Sequence, residues 1–195
     1  MDEVKDFLDG NWDRATPRLF CSDKWLTKLE RTDAAWDTDK QETVMEEGPD
    51  GTFAPIAIEN VKNYQPDLWE EDAEGLWSKN KEIPYWSDDL KEYVFDEDYE
   101  GKTFCTFSEE NFGLTQDVTV PATVTLCPSA FTNPNAVVSL GSEAPKAGLS
   151  IANILPRSGT LYHELFHLTV GVIDTPDITC KSQLRESIRG SFSPC

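Results

Sequence analysis

Ser158-Gly159-Thr160-Leu161-Tyr162-His163-Glu164-Leu165-Phe166-His167-Leu168-Thr169 is the stretch on which the reading of this chain turns. It holds the only two histidines among 195 residues, four apart and with a glutamate after the first. An α-helix advances about 100° per residue, so positions i and i+4 project from one face with Cβ atoms roughly 5–6 Å apart. That separation lets His163 and His167 grip one metal ion, and Glu164 can lean over the metal's water as a general base. Leu161, Leu165 and Leu168 supply an apolar stripe behind the ligands, and Ser158 or Thr160 can cap the helix. The plainer alternative is a pair of ordinary surface or core histidines.

Tetrahedral zinc held by two histidines needs a third protein ligand and leaves the fourth position to water. With no further histidine and no C-x-x-C, that ligand must be Asp, Glu or Cys. Gly171 can end the helix in a left-handed cap and turn the chain back toward the metal. Asp174, three residues beyond it, is the expected ligand. Asp177 is the alternative, since Pro176 offers a second bend. Both can also serve merely as turn residues, and Glu186 fits less well.

The rest of the sequence bounds what such a site belongs to. The length suits a single domain over residues 1–195 with a core of its own. Lys+Arg is 17 against Asp+Glu 36, a net charge of -19, which argues against nucleic acid and anionic membranes as partners. Six tryptophans and 38% hydrophobic residues are too many for a disordered acidic chain. No apolar run approaches the ~18 residues of a membrane span. The five widely spaced cysteines point to disulfides and an oxidising compartment. The first pairing expected is Cys105 with Cys127 and the second Cys21 with Cys180, leaving Cys195 unpaired. The start lacks the apolar core of a signal peptide, which leaves an intracellular protein or a mature form restarted with Met, and the cysteines favour the second, a secreted chain.

Along the chain, residues 1–20 read as an irregular entry segment ending in the strand-like Arg18-Leu19-Phe20-Cys21. Ser22 reads as the cap of a helix over 23–31, and Ser87 as the cap of another over 88–94. Glu46-Glu47-Gly48-Pro49-Asp50-Gly51 reads as a turn between two short strands. Alternation predicts a strand over 101–107, and 117–126 is β-rich, with Pro121 demoting it to an edge or splitting it. Ala136–Leu140 and Leu149–Leu155 are further apolar runs. Asp96-Glu97-Asp98-Tyr99-Glu100-Gly101 imitates half of a calcium-binding loop, but Phe107 stands where the bidentate Glu belongs. Trp69, Trp77, Tyr85 and Trp86 are expected in packing rather than lining a ligand groove.

H-E-x-x-H followed closely by an Asp resembles the aspzincins, the deuterolysin-like secreted zinc metalloendopeptidases of fungi. Val124-Thr125-Leu126-Cys127-Pro128-Ser129-Ala130-Phe131 is similar to the strand-Cys-Pro-Phe segment that precedes their zinc helix, and Phe104-Cys105 to their upstream strand cysteine. The resemblance covers residues ~100–180 and is looser before that. It implies an α+β, zincin-like single domain, its motif helix packed on a small mixed or antiparallel sheet. It further implies Zn2+ held by His163, His167 and Asp174, with Glu164 as general base. The expected activity is that of a secreted, monomeric zinc endopeptidase acting on peptide or protein substrates. The chain departs from the family at Asp174-Thr175-Pro176-Asp177-Ile178, where the family carries Asp-x-x-Tyr-Gly. A non-catalytic secreted zinc-binding protein is the rival expectation.

Overall fold

The computed structural model describes residues 2–71, 76–80, 82–132, 134, 136–139, 141 and 155–177. In chain order these form helix α1 (Asp2–Leu8), strands β1 (Arg18–Phe20), β2 (Leu26–Lys28), β3 (Trp36–Asp37), β4 (Glu42–Thr43), β5 (Met45–Glu47) and β6 (Phe53–Pro55), then helix α2 (Gln65–Leu68). Strands β7 (Trp69–Glu71), β8 (Trp77–Lys79), β9 (Glu82–Ser87) and β10 (Glu92–Glu97) follow, then helix α3 (Phe104–Phe107), strands β11 (Gly113–Gln116) and β12 (Thr123–Leu126), and helices α4 (Pro128–Thr132) and α5 (Gly159–Val170). The class is α+β, built on small sheets. No helix of the described residues is long and apolar enough to cross a membrane.

The sheet that matters for function is mixed and three-stranded, in the order β1-β12-β11. β12 lies at its centre, parallel to β1 and antiparallel to β11. Its four residues, Thr123 to Leu126, are all buried, as a β-branched run covered on both faces should be. Alternation sends Val124 and Leu126 toward α5, where they form one core with Val4, Leu165 and Leu168, and Leu161 packs against it. The motif helix therefore buries the apolar stripe its sequence promises. Thr115 pairs with Val124 and Gly113 with Leu126, so both share the face turned to α5.

The opposite face meets a second, antiparallel sheet, β10-β9-β2, through Trp25. Its indole Nε1 donates to Thr125 Oγ1 at 3.0 Å and its ring stacks on Phe20 at 4.3 Å. Trp25, Tyr85 and Val94 make the core here. A third core, Ala35, Ile58 and Leu68, gathers the half-buried Trp69, Tyr93 and Phe95. Trp86 packs edge-on against Tyr93. Trp69, Tyr85 and Trp86 thus serve packing, as expected; the side chain of Trp77 lies outside the described residues.

The disulfide Cys105–Cys127 is formed. Cys21 is exposed and free among the described residues, while Cys180 and Cys195 lie outside them. The turn at 46–51 joins β5 to β6 as expected. Pro121, after a cis peptide bond, splits the β-rich run so that only Thr123–Leu126 pairs.

Four expectations are corrected. The entry segment is not wholly irregular: its first turns form α1, because Val4 and Phe7, three apart, pack against the core beside α5. Ser22 does cap, accepting from Lys24 N, but for a single 3-10 turn at Asp23–Trp25, after which Leu26–Lys28 pairs with β9. Ser87 Oγ likewise accepts from Leu90 N at 3.1 Å, closing a hairpin turn instead of starting a helix. Val94 and its aromatic neighbours then find cross-strand partners from Pro84 to Trp86. Finally, Cys105 sits on a short helix, because Thr103 and Thr106 form a reciprocal capping box around its start. Of the later apolar runs, Val137 makes an isolated bridge to Pro156; residues 149–154 lie outside the described residues.

Candidate metal centre

α5 begins at Gly159, and Ser158 makes no side-chain cap bond; the backbone carbonyl of Ser158 receives Tyr162 N at 3.0 Å. The helix carries His163, Glu164 and His167 as the spacing requires. His163 is half exposed, with 52% of its side chain open to solvent, whereas His167 is buried at 7%. The two Nε2 atoms lie 3.1 Å apart.

The return of the chain supplies the third group. Gly171 ends α5 at φ 109°, ψ 142°, a conformation that a side chain would strain, although it is not the left-handed helical cap anticipated. Its N–H still bonds His167 O at 2.9 Å. A turn through 172–174 and Pro176 then sets Asp177 over the histidines. Asp177 Oδ1 stands 2.8 Å from His163 Nε2 and 3.3 Å from His167 Nε2. His163, His167 and Asp177 form the metal-competent group among the described residues, and Asp174 is not in it. Asp174 falls within the turn, exposed; the turn closes with Thr175 N on Gly171 O at 3.1 Å, and Asp177, three residues beyond Asp174, is the carboxylate that reaches the histidines.

Thr175 settles which nitrogen of His167 faces this group. Its hydroxyl donates to Gly171 O at 2.7 Å, which uses its one proton. Toward His167 Nδ1, 2.9 Å away, it is therefore the acceptor, and Nδ1 carries the hydrogen. His167 Nε2 then points at a carboxylate oxygen and at a second imidazole. Three side chains that could each offer one ligand atom to a metal ion thus converge. Three ligands of a tetrahedral zinc, with bonds of about 2.0–2.2 Å, lie about 3.3–3.6 Å apart, so the set would have to open, most of all between His163 and Asp177 at 2.8 Å, to take Zn2+. Two imidazoles and one carboxylate suit zinc chemically.

Glu164 lies on the sheet side of the helix and is 4% exposed. Thr115 Oγ1, reaching from β11, lies 2.8 Å from Glu164 Oε2 and 3.1 Å from the Glu164 carbonyl. Burial raises the carboxyl above its ordinary pKa; the Thr115 hydroxyl and the two imidazoles oppose this, and Asp177 reinforces it. Gly113 is the other wall. A Cβ there would stand 2.7 Å from Glu164 Oε1 and 2.9 Å from its Cγ, so the side chain occupies space that only glycine leaves open.

Asp96 Oδ1 accepts from Tyr99 Oη and Glu97 N, both at 2.8 Å, and Asp96 belongs to no metal-competent group. Gly113, Thr115 and Thr175 were not singled out in the sequence, where nothing local distinguishes them from other strand and turn residues. No protein-family model, curated protein or solved structure matches this chain.

Proposed function

We propose that this chain is a secreted, monomeric zinc-dependent endopeptidase acting on peptide or protein substrates, of the zincin-like kind that its likeness to the aspzincins implies. The observation that carries the reading is the meeting of His163, His167 and Asp177 beside a buried carboxylate on the same helix. His163, His167 and Asp177 would hold the ion. Bound there, zinc lowers the pKa of a water toward ~7 and polarises a carbonyl.

The chain's own residues supply the remainder. Glu164 accepts a proton from the water that attacks the scissile carbonyl. It returns that proton to the amine nitrogen as the C–N bond breaks. Its burial favours this exchange by bringing its pKa up toward the working range of a general base. The exposed flank of His163 and Asp177 leaves a side from which an extended peptide can approach.

One observation favours the rival reading, zinc binding without turnover: Asp177 stands at the position where the aspzincins carry Tyr. The test is metal exchange. Dialysis against a chelator should abolish cleavage of an unfolded protein, and one equivalent of Zn2+ should restore it. Stoichiometric zinc binding without cleavage would leave the rival reading standing in its place.

A further inference from the structure

We infer that Gly113 and Thr115 of β11 are positioning residues that seat the Glu164 carboxylate, one by what it lacks and the other by what it donates. The inference deepens the proposed function and rests on Glu164 as the base. Alternation along β11 puts both residues on the face turned to α5. The Thr115 hydroxyl lies within hydrogen-bond distance of Oε2, at 2.8 Å, and of the carbonyl of the same residue, at 3.1 Å. Its one hydrogen serves one of these two acceptors at a time, and the shorter distance assigns it to the carboxylate. Gly113 opens the space that Oε1, Cγ and Cδ fill, since a methyl group there would come within 2.7, 2.9 and 3.0 Å of them. A glutamate has three side-chain torsions, and an exposed one samples many rotamers. Pinned at one oxygen and fitted at the other, this one is confined to a single arrangement without any contribution from a metal ligand. Such confinement is what a base needs, because displacement by about 1 Å can cost roughly 100-fold in rate.

The experiment combines two readouts on the full chain. Thermal unfolding of the chelator-treated protein is measured for Gly113→Ala, Thr115→Val and Thr115→Ser, each with Glu164 present and with Glu164→Ala. Gly113→Ala and Thr115→Val should lower Tm by roughly 2–6 °C with Glu164 present. In the Glu164→Ala background those losses should largely vanish, because the crowded or abandoned carboxylate is gone. Thr115→Ser, which keeps the hydroxyl, should lose less than Thr115→Val. Equal losses in both backgrounds would overturn the seat, whether or not the protein proves to be a peptidase.

Cleavage of an unfolded protein by the zinc-loaded variants gives the second readout. Gly113→Ala and Thr115→Val should retain one zinc and lose roughly 10–100-fold in kcat with little change in KM, and Thr115→Ser should recover most of it. Parent-level kcat in both damaging variants would also overturn the inference. A parent chain that binds zinc and cleaves nothing would sink the peptidase reading instead, and the Tm comparison would still decide the seat.

Discussion

Thr175 and Asp177 show how much of this site is decided by single atoms. The Thr175 hydroxyl fixes the hydrogen on His167 Nδ1, and Asp177 Oδ1 completes the group that faces Nε2. Groups that hold a ligating histidine from behind typically contribute 10–100-fold in metal affinity. Thr175→Val is therefore expected to weaken zinc binding by about that factor and Thr175→Ser to preserve it, measured by competition with a chromogenic chelator. By the same assay Asp177→Ala should abolish tight binding while Asp174→Ala stays near the parent; the reverse order would return the ligand role to Asp174. The histidines and Glu164 were legible in the sequence because an i, i+4 relation inside a helix is local geometry. The choice between two aspartates three residues apart was not, since it depends on the φ of Gly171 and on the turn that Thr175 closes.

Elements were read well where packing and periodicity agreed and poorly where a polar signal had two uses. The stripe Leu161, Leu165, Leu168 has one solution, and α5 adopts it. Ser22, Ser87 and Thr103 each satisfy a nearby N–H, yet the same bond can open a helix, close a hairpin or start a single turn. Tertiary partners made the choice: β9 took up both Leu26–Lys28 and the strand after Ser87. The disulfide expected between Cys105 and Cys127 formed although Cys105 lies on a helix, because the start of α3 stands beside the residue after β12, with the two Cα atoms 5.2 Å apart. It closes a loop with a sequence separation of 22, for which the chain-entropy account gives about 3 kcal/mol. Replacing both cysteines by alanine should lower the unfolding free energy by roughly that amount in a denaturant titration. A loss below about 1 kcal/mol would show that the bridge adds little to what Leu126 and Trp25 already hold.

Across the described residues, β12 of the mixed sheet is the seam, one face serving α5 and the other bonded to Trp25, which packs with the second sheet. The acidic composition says nothing of which carboxylates leave solvent; Glu164 is buried, and Asp96 and Glu92 are half-buried. Burial raises the pKa of Asp96 against the pull of the Tyr99 hydroxyl and the Glu97 N–H, and it raises that of Glu92 against a bond from Val120 N. A carboxyl whose pKa is raised on folding binds more protons folded than unfolded. Its favourable contribution is thus complete below the unfolded value, 3.8 for Asp and 4.5 for Glu, and is lost as pH rises through the folded one. Zinc-free protein should accordingly lose stability as pH climbs out of the carboxylate range, and Asp96→Asn should flatten that slope; an unchanged slope would remove Asp96 as a cause. The central claim concerns the site that this scaffold presents, and its most direct test is cleavage of an unfolded protein by the zinc-loaded chain beside its Glu164→Gln variant. The account expects both to bind one zinc and only the parent to cut, while equal cleavage by the two would contradict it.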